Sequence, residues 1–354
     1  MPVIDLSKID RDTWLREVFP EWGTYLNEEI EDTKVPAGKV CMWWLACTGV
    51  WIKTPGDADI TVDFWTQRGA ATKKAKSYEE EKDRQLVRMT GSRKHPPFIR
   101  VAPHVIDPFA VRKLDAVLST HIHSDHICRF VAANALRNTQ SVFIGPELCG
   151  DLWASWGVPE KRIVRLKPGD SYKVKDTEIF ALESFDRTAL ITPPPTGDLR
   201  GKMPPDMNER AINYVIKTPG GNIYHSGDSH FANGYLKHGR QHDIDVCFVS
   251  YGENGPGITD KVTASDTLRI AWSLKAKVLI PIHYDMWATQ HADPNELVLL
   301  HDFNKHLMKF KLFIWKVGGK FIYPDDRDKG KYQYPKGDEE FFAEEPNIPF
   351  PSFL

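Results

Sequence analysis

Short apolar runs punctuated by glycine and proline set the rhythm of this 354-residue chain. Residues 39–46, 50–54 and 60–65 are runs of β-branched and aromatic side chains separated by Thr48-Gly49 and Pro55-Gly56, so three strands are expected there. Residues 1–36, ahead of them, are polar and read as a partly helical extension with an acidic run at 28–32. Residues 66–97 change character. They are rich in Lys and Glu and poor in large apolar residues, the pattern of an exposed helical insertion with a solvated face. From residue 114 the periodicity alternates: strand 114–120, helix 126–137, strand 141–144, helix 146–156, then strands at 162–166, 172–174 and 177–185. Residues 192–209 carry too much Pro and Gly for regular structure and are expected to form a lid or binding loop. A hairpin of 211–217 and 222–225 turns across Pro219-Gly220-Gly221. Buried strands at 245–250 and 277–281 flank a helix at 264–274. A helix at 294–308 and strands near 313–317 and 320–323 follow.

Each half of the chain thus begins with strands and continues with strands and helices in alternation. Two such halves packed sheet to sheet give an α/β four-layer αββα sandwich, with loops meeting at one edge. The organisation expected is an N-terminal extension (1–36), one large domain (37–324) and a Pro-rich, amphipathic tail (325–354) that packs on the body or on a neighbouring subunit.

Composition narrows the function. With 41% hydrophobic residues the chain can bury a large core, and a formal net charge of −2 argues against a nucleic-acid partner, whose phosphates call for a basic surface. The charged N-terminus is no secretory signal, and the longest mostly apolar stretch, 41–51, is too short to span a bilayer. Five cysteines, at 41, 47, 128, 149 and 247, form no CxxC pair. An odd, scattered set fits reduced thiols in a cytoplasm.

Three short segments carry the chemistry. HIHSDH, residues 121–126, follows the apolar run DAVLST. At a strand end His121 and His123 can converge from one loop, with Asp125 and His126 at the start of the next helix. Neutral imidazoles and a carboxylate suit Zn²⁺, Mn²⁺ or Fe²⁺. YHSGDSH, residues 224–230, puts Asp228 after a strand and a tight turn, where a carboxylate can bridge two metals. PIHYD, residues 281–285, sets His283 at another strand end. Neither of the last two is specific alone. In this order, each at a strand terminus, the three point to one metal centre.

The order HIHSDH, SGD and a late strand-end His resembles the metallo-β-lactamase-fold hydrolases. That resemblance implies two metals at the first motif, a bridging Asp228 and a second site completed by His283. The histidine that such hydrolases place between the first two motifs is missing. The matching strand, TEIFALESFD, offers Asp186, with Glu183 as the second choice, and a carboxylate there favours Mn²⁺ over Zn²⁺. Whether one or two ions bind stays open. Asp63, closing VDFW, matches an early strand-end aspartate and is expected to support the ligands.

The likeness is narrower than the fold. FPEWGTYLNEEIE, MWWLACTGVW, SFDRTALIT, SYGENGPGITDK and FIWKVGGKFIYP together resemble the L-ascorbate-6-phosphate lactonases from end to end. This implies hydrolysis of the ring ester of a phosphorylated sugar lactone, L-ascorbate 6-phosphate, to 3-keto-L-gulonate 6-phosphate. The water nucleophile is expected beside the ion held by His121, His123 and Asp186, or between two ions beside Asp228. Asp125, His126 and His283 then hold the second ion, and Asp125 or Asp228 moves the proton to the leaving alkoxide. Arg187 is the first candidate for the substrate phosphate, with Arg210 and Lys261 behind it. Tyr251, Glu253 and Asn254 either bind the sugar hydroxyls or shape their loop. A phosphodiesterase or nuclease of the same fold is the alternative activity, a non-catalytic metal-binding protein the alternative class. A homo-oligomer is expected.

Overall fold

Strand β1 (Val40–Trp44) is buried at every position, as are β2 (Val50–Lys53) and β3 (Asp59–Val62). Burial even of Lys53, Asp59 and Thr61 reflects a sheet covered on both faces. The structure, a computed structural model, describes residues 4–18, 20, 26–68, 76–77, 94–95, 100–191, 206–252, 261–287 and 292–333. The remaining strands are β4 (Lys76–Ser77), β5 (Lys94–His95), β6 (Ala116–Leu118), β7 (Val142–Gly145), β8 (Ile163–Arg165), β9 (Ser171–Val174), β10 (Thr177–Glu183), β11 (Ile212–Thr218), β12 (Gly221–His225), β13 (Val246–Ser250), β14 (Val278–Ile282), β15 (Lys311–Leu312) and β16 (Lys320–Tyr323). They form two seven-stranded mixed sheets, ordered β16-β1-β2-β3-β6-β7-β8 and β15-β14-β13-β12-β11-β10-β9, beside a small β4-β5 pair.

The α-helices described are α1 (Arg11–Val18), α2 (Asn27–Asp32), α3 (Arg129–Asn138), α4 (Glu147–Ser155), α5 (Arg187–Ile191), α6 (Met207–Arg210), α7 (Gly234–Gln241), α8 (Ala264–Leu274) and α9 (Pro294–Asn304). With the two sheets they make the expected αββα sandwich. Between the sheets, the Tyr214 hydroxyl of β11 donates to the carbonyls of Ser119 and Ile144 in the other half. Trp315 stacks on Phe248 of β13 and on Trp44 of β1, at centroid distances of 5.6 and 6.2 Å. Each buried indole hides about 150–250 Å². At about 25 cal/mol per Å² that is roughly 4–6 kcal/mol of apolar stabilisation before chain entropy is counted.

Helix α8 runs over the expected 264–274. The Thr263 hydroxyl caps its start by accepting the Asp266 N–H, and Lys275 ends it in the left-handed region at φ 53°. Elsewhere the expectation needs correction. Helix α3 begins at Arg129, not at 126, so Asp125 and His126 sit in a tight turn in which His126 N–H donates to the His123 carbonyl. In a helix, successive residues are turned by about 100°, which would send Asp125 and His126 to different faces. The turn lets both point inward. Residues 313–317 form no strand. The chain leaves the sheet after Leu312 and carries Trp315 into the core between the sheets. Within 192–209, residues 207–209 open the short helix α6, and 192–205 lie outside the described residues. Of the insertion 66–97, the described residues beyond 68 are β4 and β5, an antiparallel pair and not a helix. The rest of it, and tail residues 334–354, also lie outside the described residues. The last strand does not stay with its half: β16 pairs with β1.

Candidate metal centre

Strand direction brings the three motifs together. β3 and β6 are parallel, as are β12, β13 and β14. β1 is two antiparallel steps from β3, and β10 two from β12, so both also run with their neighbours. The carboxyl ends of these strands gather at one edge, where ligands of α/β proteins usually bind. His121 follows β6, Asp186 follows β10, Asp228 follows β12, His283 follows β14, and Cys47 follows β1.

Two donor groups result. His121, His123 and Asp228 each offer one atom to a set lying within 4.8 Å, as do Cys47, Asp125, His126 and His283. In the first group His121 Nε2 faces His123 Nδ1 at 2.7 Å, and Asp186 Oδ2 lies 3.6 Å from His121 Nε2. In the second, Asp125 Oδ2 is 3.4 Å from His283 Nε2 and 3.7 Å from His126 Nε2. Asp228 reaches this group as well, with Oδ2 3.3 Å from His126 Nε2 and Oδ1 3.5 Å from His283 Nε2.

The expected turn at Ser226-Gly227 is sterically demanding. Gly227 has φ 49°, and a Cβ there would lie 2.8 Å from Thr120 Oγ1, so glycine lets the Asp228 loop approach the His121 loop.

Asp63 supports the ligands as expected. Its Oδ2 accepts from His126 Nδ1 at 2.8 Å and from the Thr120 hydroxyl at 2.8 Å, and its Oδ1 accepts from the Thr120 N–H. With Nδ1 bonded to Asp63, the His126 ring turns Nε2 toward the centre. That Nε2 and Asp186 Oδ2 are buried without a hydrogen-bond partner. Unsatisfied buried polar atoms are costly, and a cation coordinated at each donor group would satisfy them. The donor set of imidazoles, carboxylates and a thiol fits a divalent metal.

The electrostatics agree. Burial opposes ionisation of Asp228, but the Lys261 ammonium, with His126 and His283, holds its carboxyl well below the usual range. Burial is likewise overcome at Asp125 by His126 and His283. Asp186, where burial dominates, is raised. Burial disfavours charge on His126, yet Asp228, Asp63 and Asp125 push it well above its ordinary value. Asp228 and Asp125 thus stay ionised against positively charged neighbours, and an entering cation would take the place of the protons on the imidazoles.

The other expected residues divide. Asp186, not Glu183, faces the histidines. Glu183 turns away to bond Lys237 and, at 3.0 Å, His238. Arg187 is exposed at the start of α5, with its backbone N–H donating to His230 Nδ1. Arg210 and Lys261 need reassignment. Arg210 is buried and its Nη1 donates to the Ala189 carbonyl, fixing the helix that follows Asp186. Lys261 bonds Asp228 at 2.9 Å. The Tyr251 hydroxyl donates to the Asp293 carbonyl and to Glu296, which shapes the loop instead of offering itself to a sugar. Glu253 and Asn254 lie outside the described residues. Sequence reasoning missed Cys47 at this edge and the Lys261–Asp228 pair.

Comparison with known proteins agrees with this geometry. Residues 93–284 match the model of the β-lactamase superfamily domain. Proteins from Salmonella newport and Salmonella heidelberg, both named "Probable L-ascorbate-6-phosphate lactonase UlaG", are 50% identical over 353 residues, covering 99% of this chain and 99% of theirs. Among solved structures, the metallo hydrolase Igni18 from Ignicoccus hospitalis is similar with a TM-score of 0.54 at 16% identity, over 80% of this chain and 98% of its own. An isothiocyanate hydrolase from Delia radicum gut bacteria is similar with a TM-score of 0.54 at 18% identity, over 79% and 98%. At such identities the structural likeness establishes the fold.

Proposed function

The chain belongs to the β-lactamase superfamily and, within it, to the family of the L-ascorbate-6-phosphate lactonases, and we propose that it hydrolyses the ring ester of L-ascorbate 6-phosphate to 3-keto-L-gulonate 6-phosphate. It is a metal-dependent hydrolase. The observation that supports the substrate assignment is 50% identity over 99% of both chains.

His121, His123, Asp186 and Asp228 would hold one cation, and Asp125, His126 and His283 would hold a second. When bound, such cations polarise the lactone carbonyl and bring the pKa of the attacking water from 15.7 toward about 7. The protein's own groups do the rest. The Lys261 ammonium keeps Asp228 ionised. Asp125, whose side chain is 13% exposed, is the more accessible carboxylate. The oxygen that Asp125 does not turn to the cation takes a proton from water and returns one to the ring oxygen as the ester opens. Asp63 holds His126 in one tautomer. Arg187, exposed beside Asp186, is the residue assigned to the phosphate, since a guanidinium binds phosphate bidentately.

The carboxylates Asp186 and Asp228 support Mn²⁺ at the first position. Five cysteines without a disulfide support a reducing, cytoplasmic setting within carbohydrate catabolism. The net charge of −2 speaks against a nucleic-acid partner. Trp272, Leu299, Phe303 and Leu307, exposed by 54–77%, support self-association into a homo-oligomer.

The test is turnover of phosphorylated and plain lactones, and of a phosphodiester, by chelator-treated enzyme reloaded with Mn²⁺, Zn²⁺ or Mg²⁺. Preferred hydrolysis of L-ascorbate 6-phosphate is expected. Cleavage of the phosphodiester without lactone turnover would replace this reading by the alternative activity.

A further inference from the structure

Cys47 stands at the metal edge yet has no part in the hydrolysis as described. Its Sγ lies 3.5 Å from His283 Nε2 and 3.8 Å from Asp125 Oδ2. Cys47, Asp125, His126 and His283 form a single four-donor group. A second observation points to a ligand at this spot: His126 Nε2 is fully buried, without a hydrogen-bond partner, and faces the same centre. The loop that carries the sulfur is closely held. Ala46 and Cys47 adopt left-handed φ values of 75° and 56°. The Cys47 carbonyl accepts from the His283 N–H and from the Trp44 indole. Such backbone persists only where its surroundings over-determine it. One sulfur, one oxygen and two nitrogens are the number and kind of donors that a tetrahedral Zn²⁺ site uses. The other centre, with two imidazoles and two carboxylates, is harder.

We propose that Cys47 is a ligand of the cation held by Asp125, His126 and His283. It binds as the thiolate, its proton passing to solvent as the metal enters. This centre then prefers a borderline-soft cation such as Zn²⁺, while the His121–His123–Asp186–Asp228 centre takes a harder one, so the enzyme is built for two unlike ions. The proposal rests on reading this edge as a metal centre and adds the sulfur to it.

The experiment titrates full-length, chelator-stripped protein with Co²⁺ alone and follows absorption. A thiolate-to-Co²⁺ charge-transfer band in the near ultraviolet is expected. Cys41, Cys128, Cys149 and Cys247 belong to no donor group among the described residues, so the band has one source. Cys47→Ser and Cys47→Ala should lose that band, keep the visible bands of Co²⁺ at the other centre, and weaken one of two Zn²⁺ affinities by more than about tenfold. Two Co²⁺ bound without a charge-transfer band, or a band that survives in both variants, overturns the role of Cys47 and leaves the metal centre standing. No Co²⁺ bound at all overturns both. If neither variant folds, the band in the unaltered protein decides.

Discussion

Lys261 sets its ammonium 2.9 Å from Oδ2 of Asp228, with the two side chains only 1% and 2% exposed. Removing one partner of such a buried pair leaves an uncompensated charge, at a cost of about 3–5 kcal/mol. Lys261→Met should therefore destabilise the chelated protein by about that amount. A bound divalent cation also compensates Asp228, so much of the loss should be recovered on metal loading. Melting curves with chelator and with Mn²⁺ test this. An equal drop under both conditions would mean that Lys261 supports its loop and not the charge.

Glu183 ends β10 and Asp186 follows it, but the two should behave differently. Asp186→Ala removes a donor that faces His121 and should weaken metal binding by roughly 10–100-fold. Asp186→His should shift the preference from Mn²⁺ toward Zn²⁺, since imidazole is the softer ligand. Isothermal titration with both metals is the measurement. Unchanged relative affinities in the histidine variant would count against the hard-site argument.

Glu183 should matter for stability instead, and in a pH-dependent way. Burial works against its charge, but hydrogen bonds from Lys237 and His238 bring the carboxyl down to about 2. A depressed folded-state pKa gives stability that is present above the unfolded value, about 4.3, and is lost as pH falls toward about 2. The side chain is 35% exposed, so solvent screening limits the gain to about 1 kcal/mol or less. In chelated protein Glu183→Gln should lower the urea midpoint at neutral pH, and the difference should shrink between about pH 5 and pH 3. A gap that stays constant across this range would refute the assignment.

Arg187→Ala should separate phosphorylated from plain lactones. Charge-assisted hydrogen bonds to a phosphate contribute about 1.5–3 kcal/mol each. Losing one or two should cut kcat/KM for the phosphorylated substrate by roughly ten- to several-hundred-fold, at about 1.4 kcal/mol per factor of ten. The plain lactone should hardly change. Similar losses on both substrates would remove Arg187 from the phosphate site.

What could be read along the chain was whatever a short window contains. His121, His123, Asp125 and His126 crowd one loop, and Asp228 and His283 each follow an apolar run that ends a strand. Helix α8 was legible because Thr263 caps it and its apolar face repeats. The misplaced start of α3 came from extending helical periodicity across residues whose side chains must all turn inward. Cys47 was invisible because a single cysteine in the apolar run MWWLACTGVW looks like core. Only the shared direction of β1 and β3 brings it to the metal edge. The Lys261–Asp228 pair spans 33 residues, and no local pattern marks it. Arg210 read as a candidate for the substrate phosphate, and nothing local in the sequence marks its bond to the Ala189 carbonyl.

The pairing of β16 with β1 ties the start of the first sheet to a strand made much later. Val40 to Trp43 find their partners at residues 320–323, near the end of the sequence. Until a ribosome has delivered that segment, β1 has an open edge of unpaired amides and carbonyls, which invites mispairing with other chains. Contacts of such sequence separation also form slowly. The strand that leads into Cys47 pairs at once with its neighbour β2, but its other edge is covered only when β16 arrives.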